Sequence, residues 1–254
     1  MPVKTRDFSH LGTGELLFRR RGTGGPMVPM GNAEEVSFSI EADEIEQPEH
    51  RHPGGGNRNR IERITDVTLT ANVYDLSPRN IAAVIYGNES EVDATKNGDK
   101  ATEKVTVYKD GYNPLKRPDA REVTLYKVDG GEKGEEIDDD HFEIERGCVL
   151  LTEAGEEHDG EEVIAEYHHG KVQVVEALMH SGHTYEGTFR GVNEADDSIF
   201  AVDIHRFRFT PTDELGLVSD EFAQLEMEAN VLSDPDRGAG ESAYFRFQIG
   251  EPRD

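Results

Sequence analysis

One stretch of the chain, residues 36–87, decides the fold, and it reads VSFSIEADEIEQPEHRHPGGGNRNRIERITDVTLTANVYDLSPRNIAAVIYG. Apolar and polar residues alternate at 36–40 and again at 67–73, which is the pattern of a β-strand with one buried face. A loop rich in glycine and arginine separates these runs, and a short helix is predicted at residues 77–87. This order predicts a long β-hairpin arm beside a helix.

The loop between the two strands, residues 46–63, is the candidate functional element. From residue 50 to residue 63, four arginines accompany one glutamate, whereas the whole chain has a formal net charge of −26. Three successive glycines give the tip no fixed conformation of its own. We predict that the loop binds an acidic surface of a neighbouring copy, where arginine forks hold carboxylates; the other interpretation is a flexible tip with incidental charge. The predicted contact residues are His50, Arg51, His52, Gly54, Gly55, Gly56, Arg58, Arg60 and Arg63.

The helix that follows has clear start and stop signals. Ser77 suits the N-cap and Pro78 the first helical position, while Gly87 is expected to take the left-handed conformation that ends the helix. The spacing of the apolar residues predicts one face that packs on a sheet. That face consists of Ile81, Val84 and Ile85.

Composition narrows the class of protein. The chain has 254 residues, of which 53 are acidic and 27 basic. Such acidity repels nucleic acid phosphates and disfavours tight groove binding by the whole body. No apolar run approaches the roughly 20 residues that span a bilayer, so no membrane insertion is expected, and the N-terminus lacks the apolar segment of a secretory signal. Cys148 is the single cysteine, which excludes an intrachain disulfide.

The remainder of the chain is predicted to be β-structure. Residues 99–170 hold about five short alternating runs separated by turns, which is typical of a small sandwich-like unit. We predict a core from residues 1–98 and 171–254, with 99–170 as a possible insertion. The predicted fold class is mainly β: a tail-tube-type sandwich or barrel, one flanking short α-helix, the long hairpin arm and the small inserted β unit.

Candidate chemistry is sparse. One cysteine cannot build a cysteine-type zinc site, the acidic runs lack calcium-loop spacing, and no nucleophile elbow or phosphate-binding glycine loop is present. We interpret the close histidine pairs as exposed loop residues. We therefore predict no catalytic residue, no metal site and no cofactor, and a protein that is not an enzyme. The histidine pairs are His50 and His52, His168 and His169, and His180 and His183.

The order of these elements resembles the tail tube (major tail) proteins of long-tailed bacteriophages. The resemblance covers nearly the full length and depends on the order and spacing of individually weak motifs. Residues 99–170 depart from it, because they interrupt a compact tube core. The matching segments are residues 26–32, 36–40, 80–87, 140–144, 147–151, 185–191, 207–211 and 222–232.

The resemblance implies a structural virion protein that assembles with copies of itself. Hexameric rings would stack into a tail tube, with the long hairpin loop reaching into the adjacent ring and DNA passing through an acidic lumen during ejection into the host. The implied partners are further copies, the tape measure, terminator and distal tail proteins; the implied location is the virion tail, after assembly in the host cytoplasm. Two other interpretations stay open: a tail terminator or adaptor protein, and a non-viral ligand-binding β-sandwich module.

Overall fold

The structure, a computed structural model, describes residues 9–51, 53–96 and 98–252. Antiparallel sheets dominate these residues, as expected for a mainly β protein. No helix in the described part of the chain has the length and apolar character needed to cross a bilayer. The elements in chain order are β1 (Gly12–Arg20), β2 (Val28–Pro29), β3 (Ala33–Pro48), β4 (Asn57–Val73), α1 (Pro78–Val84), β5 (Asn88–Val92), β6 (Ala101–Val107), β7 (Asn113–Pro114), β8 (Arg121–Asp129), β9 (Glu132–Glu136), a 3₁₀ turn (Asp139–His141), β10 (Phe142–Glu145), β11 (Cys148–Leu151), a second 3₁₀ turn (Ala154–His158), β12 (Glu161–His168), β13 (Val172–Glu176), β14 (Tyr185–Asn193), β15 (Ser198–Phe209), β16 (Leu225–Val231) and β17 (Phe245–Ile249).

The chain divides into two compact units. Within the described residues, unit 1 runs up to Glu89 and resumes at Val175, and unit 2 is Ser90–Val174. The predicted insertion, residues 99–170, lies inside unit 2. The chain leaves unit 1 along β5 and returns along β13, and these two strands pair with each other.

Unit 1 is built on an eight-stranded antiparallel sheet in the order β2-β1-β14-β15-β16-β4-β3. β15 is a branch point, because residues 200–204 pair with β17 whereas residues 207–209 pair with β16. Both partners lie on the edge of β15 opposite β14. The sheet does not close on itself within the described residues, so the structure is consistent with the sandwich form of the predicted fold class and shows no closed barrel there.

The core of unit 1 follows from strand alternation. On β4, every second residue from Val67 to Val73 is buried, whereas the intervening residues are partly exposed. Phe18 and Phe207 each pack edge-on against Phe209, with ring centroids 5.6 and 5.3 Å apart. Edge-to-face packing of buried rings adds to the stabilisation from their burial.

The start of α1 is confirmed. The Ser77 hydroxyl accepts a hydrogen bond from the Asn80 backbone N–H at 3.2 Å, and Pro78 occupies the first helical position. The Asn80 side chain is buried and donates to the carbonyl oxygens of Met30 and Asp75 at 2.7 and 2.9 Å. These bonds tie the helix to the loops beside it.

The predicted end of the helix is wrong. α1 stops at Val84, and Tyr86, not Gly87, takes the left-handed conformation with φ of 53°. Gly87 is required for a different reason, since a Cβ there would lie 2.7 Å from the carbonyl oxygen of Glu176. Val84 is fully buried in the unit 1 core, and Ile81 and Ile85 pack against that core.

Unit 2 has its own core. A four-stranded sheet, β6-β12-β8-β9, and a three-stranded sheet, β10-β11-β7, contribute buried residues such as Leu125, Val149 and Tyr167. The buried Asn113 side chain accepts from the Tyr108 N–H and donates to the Tyr108 and Val149 carbonyl oxygens, each at 3.0 Å. One amide therefore joins β7, β11 and the loop before β7.

Candidate functional site: the projecting arm

The β3–β4 hairpin continues well beyond the core of unit 1, and residues 39–66 are called the arm. In the described part of β3 and β4, every arm position is exposed, and burial on β4 begins only at Val67. Nine residue pairs, from Ile40 with Val67 to Pro48 with Asn57, continue the ladder outward. At about 3.4 Å per residue, this ribbon is roughly 30 Å long.

The turn at the end of the arm is shorter than the predicted loop of residues 46–63. β3 extends to Pro48 and β4 begins at Asn57, and the Glu49 N–H donates to the Gly56 carbonyl oxygen at 2.8 Å. The three glycines of the tip, Gly54, Gly55 and Gly56, have φ of 130°, 68° and 111°, values that side chains disfavour. His52 lies outside the described residues.

Apolar side chains occur on both faces of the arm. Ile45 and Ile61 are cross-strand partners, and both are about half exposed, at 50% and 49%. Ile40 and Ile64 are 56% and 55% exposed and lie nearer the core on the opposite face. Four half-exposed isoleucines on a thin ribbon are apolar surface suited to covering by another chain.

The two strands of the arm differ in charge. The β3 side carries four carboxylates, whereas the β4 side carries three arginines together with Glu62 and Asp66. Arg60 forms ion pairs with Glu44 and Glu62 of its own arm, the second at 2.9 Å. Among the described residues, Arg51, Arg58 and Arg63 form no ion pair. Over its whole length the arm has seven carboxylates and four arginines, so the expected positive charge is limited to residues 50–63.

Both edges of the arm are open within the described residues. β3 is the last strand of its sheet, and β16 pairs with β4 only as far as Thr68. Unpaired backbone N–H and C=O groups on such edges are templates for another strand. The arm therefore offers one acidic and one basic strand edge for β-augmentation.

An acidic groove lies elsewhere in unit 1, along the loop between β15 and β16. Its volume is about 540 Å³, and Asp213, Glu214, Glu226 and Glu228 line it. None of these four carboxylates forms an ion pair within the described part of the chain. The same loop exposes three apolar side chains, which are Leu217 at 86%, Val218 at 96% and Phe222 at 91%.

Two other carboxylates of unit 1 already hold arginines. Burial raises the pKa of Asp203, but hydrogen bonds from Thr188 and Arg246 outweigh burial and place that pKa below its ordinary value. A hydrogen bond from Arg21 at 2.9 Å lowers the pKa of Asp234. These groups are occupied within their own unit, whereas the carboxylates of the groove are not.

The predicted residues thus fall in separate places. The described contact residues lie at the tip and on the β4 side of the arm, and the helix residues Ile81, Val84 and Ile85 lie in or against the core. Sequence reasoning missed the groove and the exposed isoleucines. Leu217 and Val218 are neighbours in a stretch of the 210–224 loop where no periodic pattern marks them.

A family model described as "Protein of unknown function UCP028589" matches residues 9–248. The chain belongs to this family. The matched range includes the arm, the acidic groove and all of unit 2. A search of curated proteins found no match.

Proposed function

We propose that the protein is a structural virion subunit that assembles into stacked hexameric rings and forms the tail tube of a long-tailed phage. The observation that carries this proposal is the arm. Its ribbon is roughly 30 Å long, at about 3.4 Å per residue, with two open edges and four half-exposed isoleucines. The resemblance described above supplies the particular assembly.

The arm lacks the protection that the edge strands of monomeric proteins usually have. A two-stranded ribbon outside a larger sheet is marginally stable in water, and open edges invite pairing with other chains. The β3 edges of two copies would repel each other, because each carries four carboxylates. An acidic β3 edge attracts the basic β4 edge of the next copy, and this head-to-tail contact closes into a ring when its rotation closes.

The tip of the arm has a matching surface in unit 1. Arg51 and Arg58 are exposed and unpaired within the described residues, and the groove carboxylates are unpaired likewise. A tip that enters the groove of a copy in the adjacent ring would form charge-assisted hydrogen bonds. Such exposed contacts weaken with added salt.

The acidity of the chain also suits a DNA conduit. A formal charge of −26 per copy, repeated around a ring, repels the phosphate backbone and disfavours adhesion of passing DNA.

Negative-stain electron microscopy and sedimentation of the full chain test the proposal. We expect six-fold rings or tubes, and we expect the double variant Arg51→Glu with Arg58→Glu to reduce ring stacking at low salt. Arg121→Glu, an exposed arginine on β8 of unit 2, is the matched control and should assemble normally. Rings that never stack would favour a tail terminator. A monodisperse monomer at all salt and protein concentrations would contradict the proposal.

A further inference from the structure

Two histidines and a glutamate meet in unit 2, away from the arm. Nδ1 of His141 lies 3.2 Å from Nε2 of His158, and Oε1 of Glu157 lies 3.5 Å from the same Nε2 atom. One ligand atom from each residue falls within a mutual distance of 4.8 Å. We propose that His141, Glu157 and His158 bind a divalent transition metal ion of the zinc class.

The backbone holds the two histidines in place. His141 ends the first 3₁₀ turn and His158 ends the second. The Thr152 N–H donates to the His141 carbonyl oxygen at 3.0 Å. Gly155 lies so close to the same oxygen that a Cβ would collide with it. The β10–β11 hairpin and these contacts bring together residues that are 17 positions apart.

The buried histidine is oriented as a metal ligand. His158 is 2% exposed, and its Nδ1 lies 2.9 Å from Oε2 of Glu161. An ionised carboxylate only accepts hydrogen bonds, so Nδ1 carries the hydrogen, and in the neutral imidazole Nε2 then directs a lone pair at His141. A carboxylate behind the distal nitrogen is the partner that orients imidazoles at metal centres. Without metal, His141 Nδ1–H donates to that lone pair; with metal, the ion takes the place of this hydrogen.

Two of the three distances between ligand atoms match those around one tetrahedral ion, and the third is at most 4.8 Å. Zinc binds imidazole nitrogen at about 2.0–2.1 Å and carboxylate oxygen at about 2.0–2.2 Å, so two ligand atoms in a tetrahedron lie about 3.3–3.5 Å apart. The observed 3.2 and 3.5 Å are close to these values. Two imidazoles and one carboxylate form a zinc-type ligand set with a fourth position for water, whereas calcium and magnesium prefer oxygen ligands. Bound metal would crosslink the two 3₁₀ turns.

Cobalt(II) titration of the chelator-treated full chain tests the site, because four-coordinate cobalt has strong visible absorption. We expect one cobalt ion per chain, displacement by zinc, and a higher thermal midpoint with either ion. Glu157→Gln and His141→Asn should each weaken binding at least tenfold. Glu161 would not touch the metal but orients His158, so Glu161→Gln should weaken metal binding about 10–100-fold.

The variants spare the buried His158, so loss of folding does not confuse the result. Glu153→Gln is the matched control, since Glu153 is an exposed carboxylate directly before the second 3₁₀ turn. Its affinity for cobalt should equal that of the unmodified chain. The site is refuted if cobalt does not saturate at one ion per chain, or if Glu157→Gln and His141→Asn bind as tightly as the control. The histidines would then form only a hydrogen bond between two turns.

Discussion

Replacing the isoleucine pair of the arm, Ile45→Thr with Ile61→Thr, should weaken assembly and leave the subunit folded. Complete burial of an isoleucine side chain contributes about 1.5–3 kcal/mol. Ile45 and Ile61 are 50% and 49% exposed in the single chain, so about half of that amount remains to be gained by each. The pair would then contribute roughly 1.5–3 kcal/mol per contact, or about 10–150-fold in affinity.

Sedimentation velocity over a concentration series measures this effect as the concentration at which half of the protein is assembled. Threonine keeps the β-branch that strands favour, so chemical denaturation should show a loss below about 1 kcal/mol in the free energy of unfolding. Ile144→Thr, at an exposed strand position of unit 2, is the control for assembly. If the double variant folds and its half-assembly concentration is unchanged, the role of the arm in assembly is refuted. The role is also refuted if the free energy of unfolding of the isolated subunit falls by several kcal/mol.

Three further substitutions test the account of stability. Gly87→Ala should lower the free energy of unfolding by about 1–3 kcal/mol in chemical denaturation, because its Cβ would press on the Glu176 carbonyl oxygen. Asn113→Ala should cost roughly 2–4 kcal/mol by the same measurement, since it leaves buried backbone groups without partners. Asp234→Asn should cost roughly 1–3 kcal/mol at pH 7. In the folded chain the pKa of Asp234 is depressed below its ordinary value of 3.8. The contribution of Asp234 to the free energy of unfolding is therefore fully present above pH 3.8 and disappears as the pH falls through the folded pKa. Thermal melts at pH 7 and pH 3 should therefore show a smaller difference between Asp234→Asn and the unmodified chain at pH 3.

Each of these substitutions has a matched control. Gly216→Ala adds a Cβ into open space, and Asn88→Ala removes an exposed amide; both should change stability by less than about 0.5 kcal/mol. Asp236→Asn removes the exposed partner of the same arginine and should cost under about 1 kcal/mol. Equal effects in a substitution and its control would contradict the burial argument. If the difference in thermal stability between Asp234→Asn and the unmodified chain were larger at pH 3 than at pH 7, the pKa argument would be contradicted.

The sequence predicts the inner half of the hairpin but not its outer half. Residues 67–73 bury every second side chain, so hydrophobic alternation reveals that strand. Residues 41–48 are exposed on both faces and carry charge on both, so they read as a loop although they are paired strand. Local signals also predict where α1 begins. They do not predict its end, because packing of Gly87 on Glu176 depends on the return of the chain from unit 2.

The proposed metal ligands also depend on contacts between residues that are far apart in the sequence. Neighbouring histidines such as His168 and His169 draw attention in the sequence, whereas His141 and His158 are separated by a hairpin. No spacing rule joins them, and the chain between them approaches closely enough that a Cβ on Gly155 would collide with the His141 carbonyl oxygen. Only the folded chain brings His141 and His158 into contact.

The pairing of β5 with β13 has a consequence for how the gene can change. The chain departs from unit 1 and re-enters it through adjacent strands, and insertions are tolerated where the two ends of a segment lie close together. The segment between β5 and β13 can therefore be lengthened, exchanged or removed in one step without rerouting unit 1. A foreign domain grafted there would be displayed once per copy.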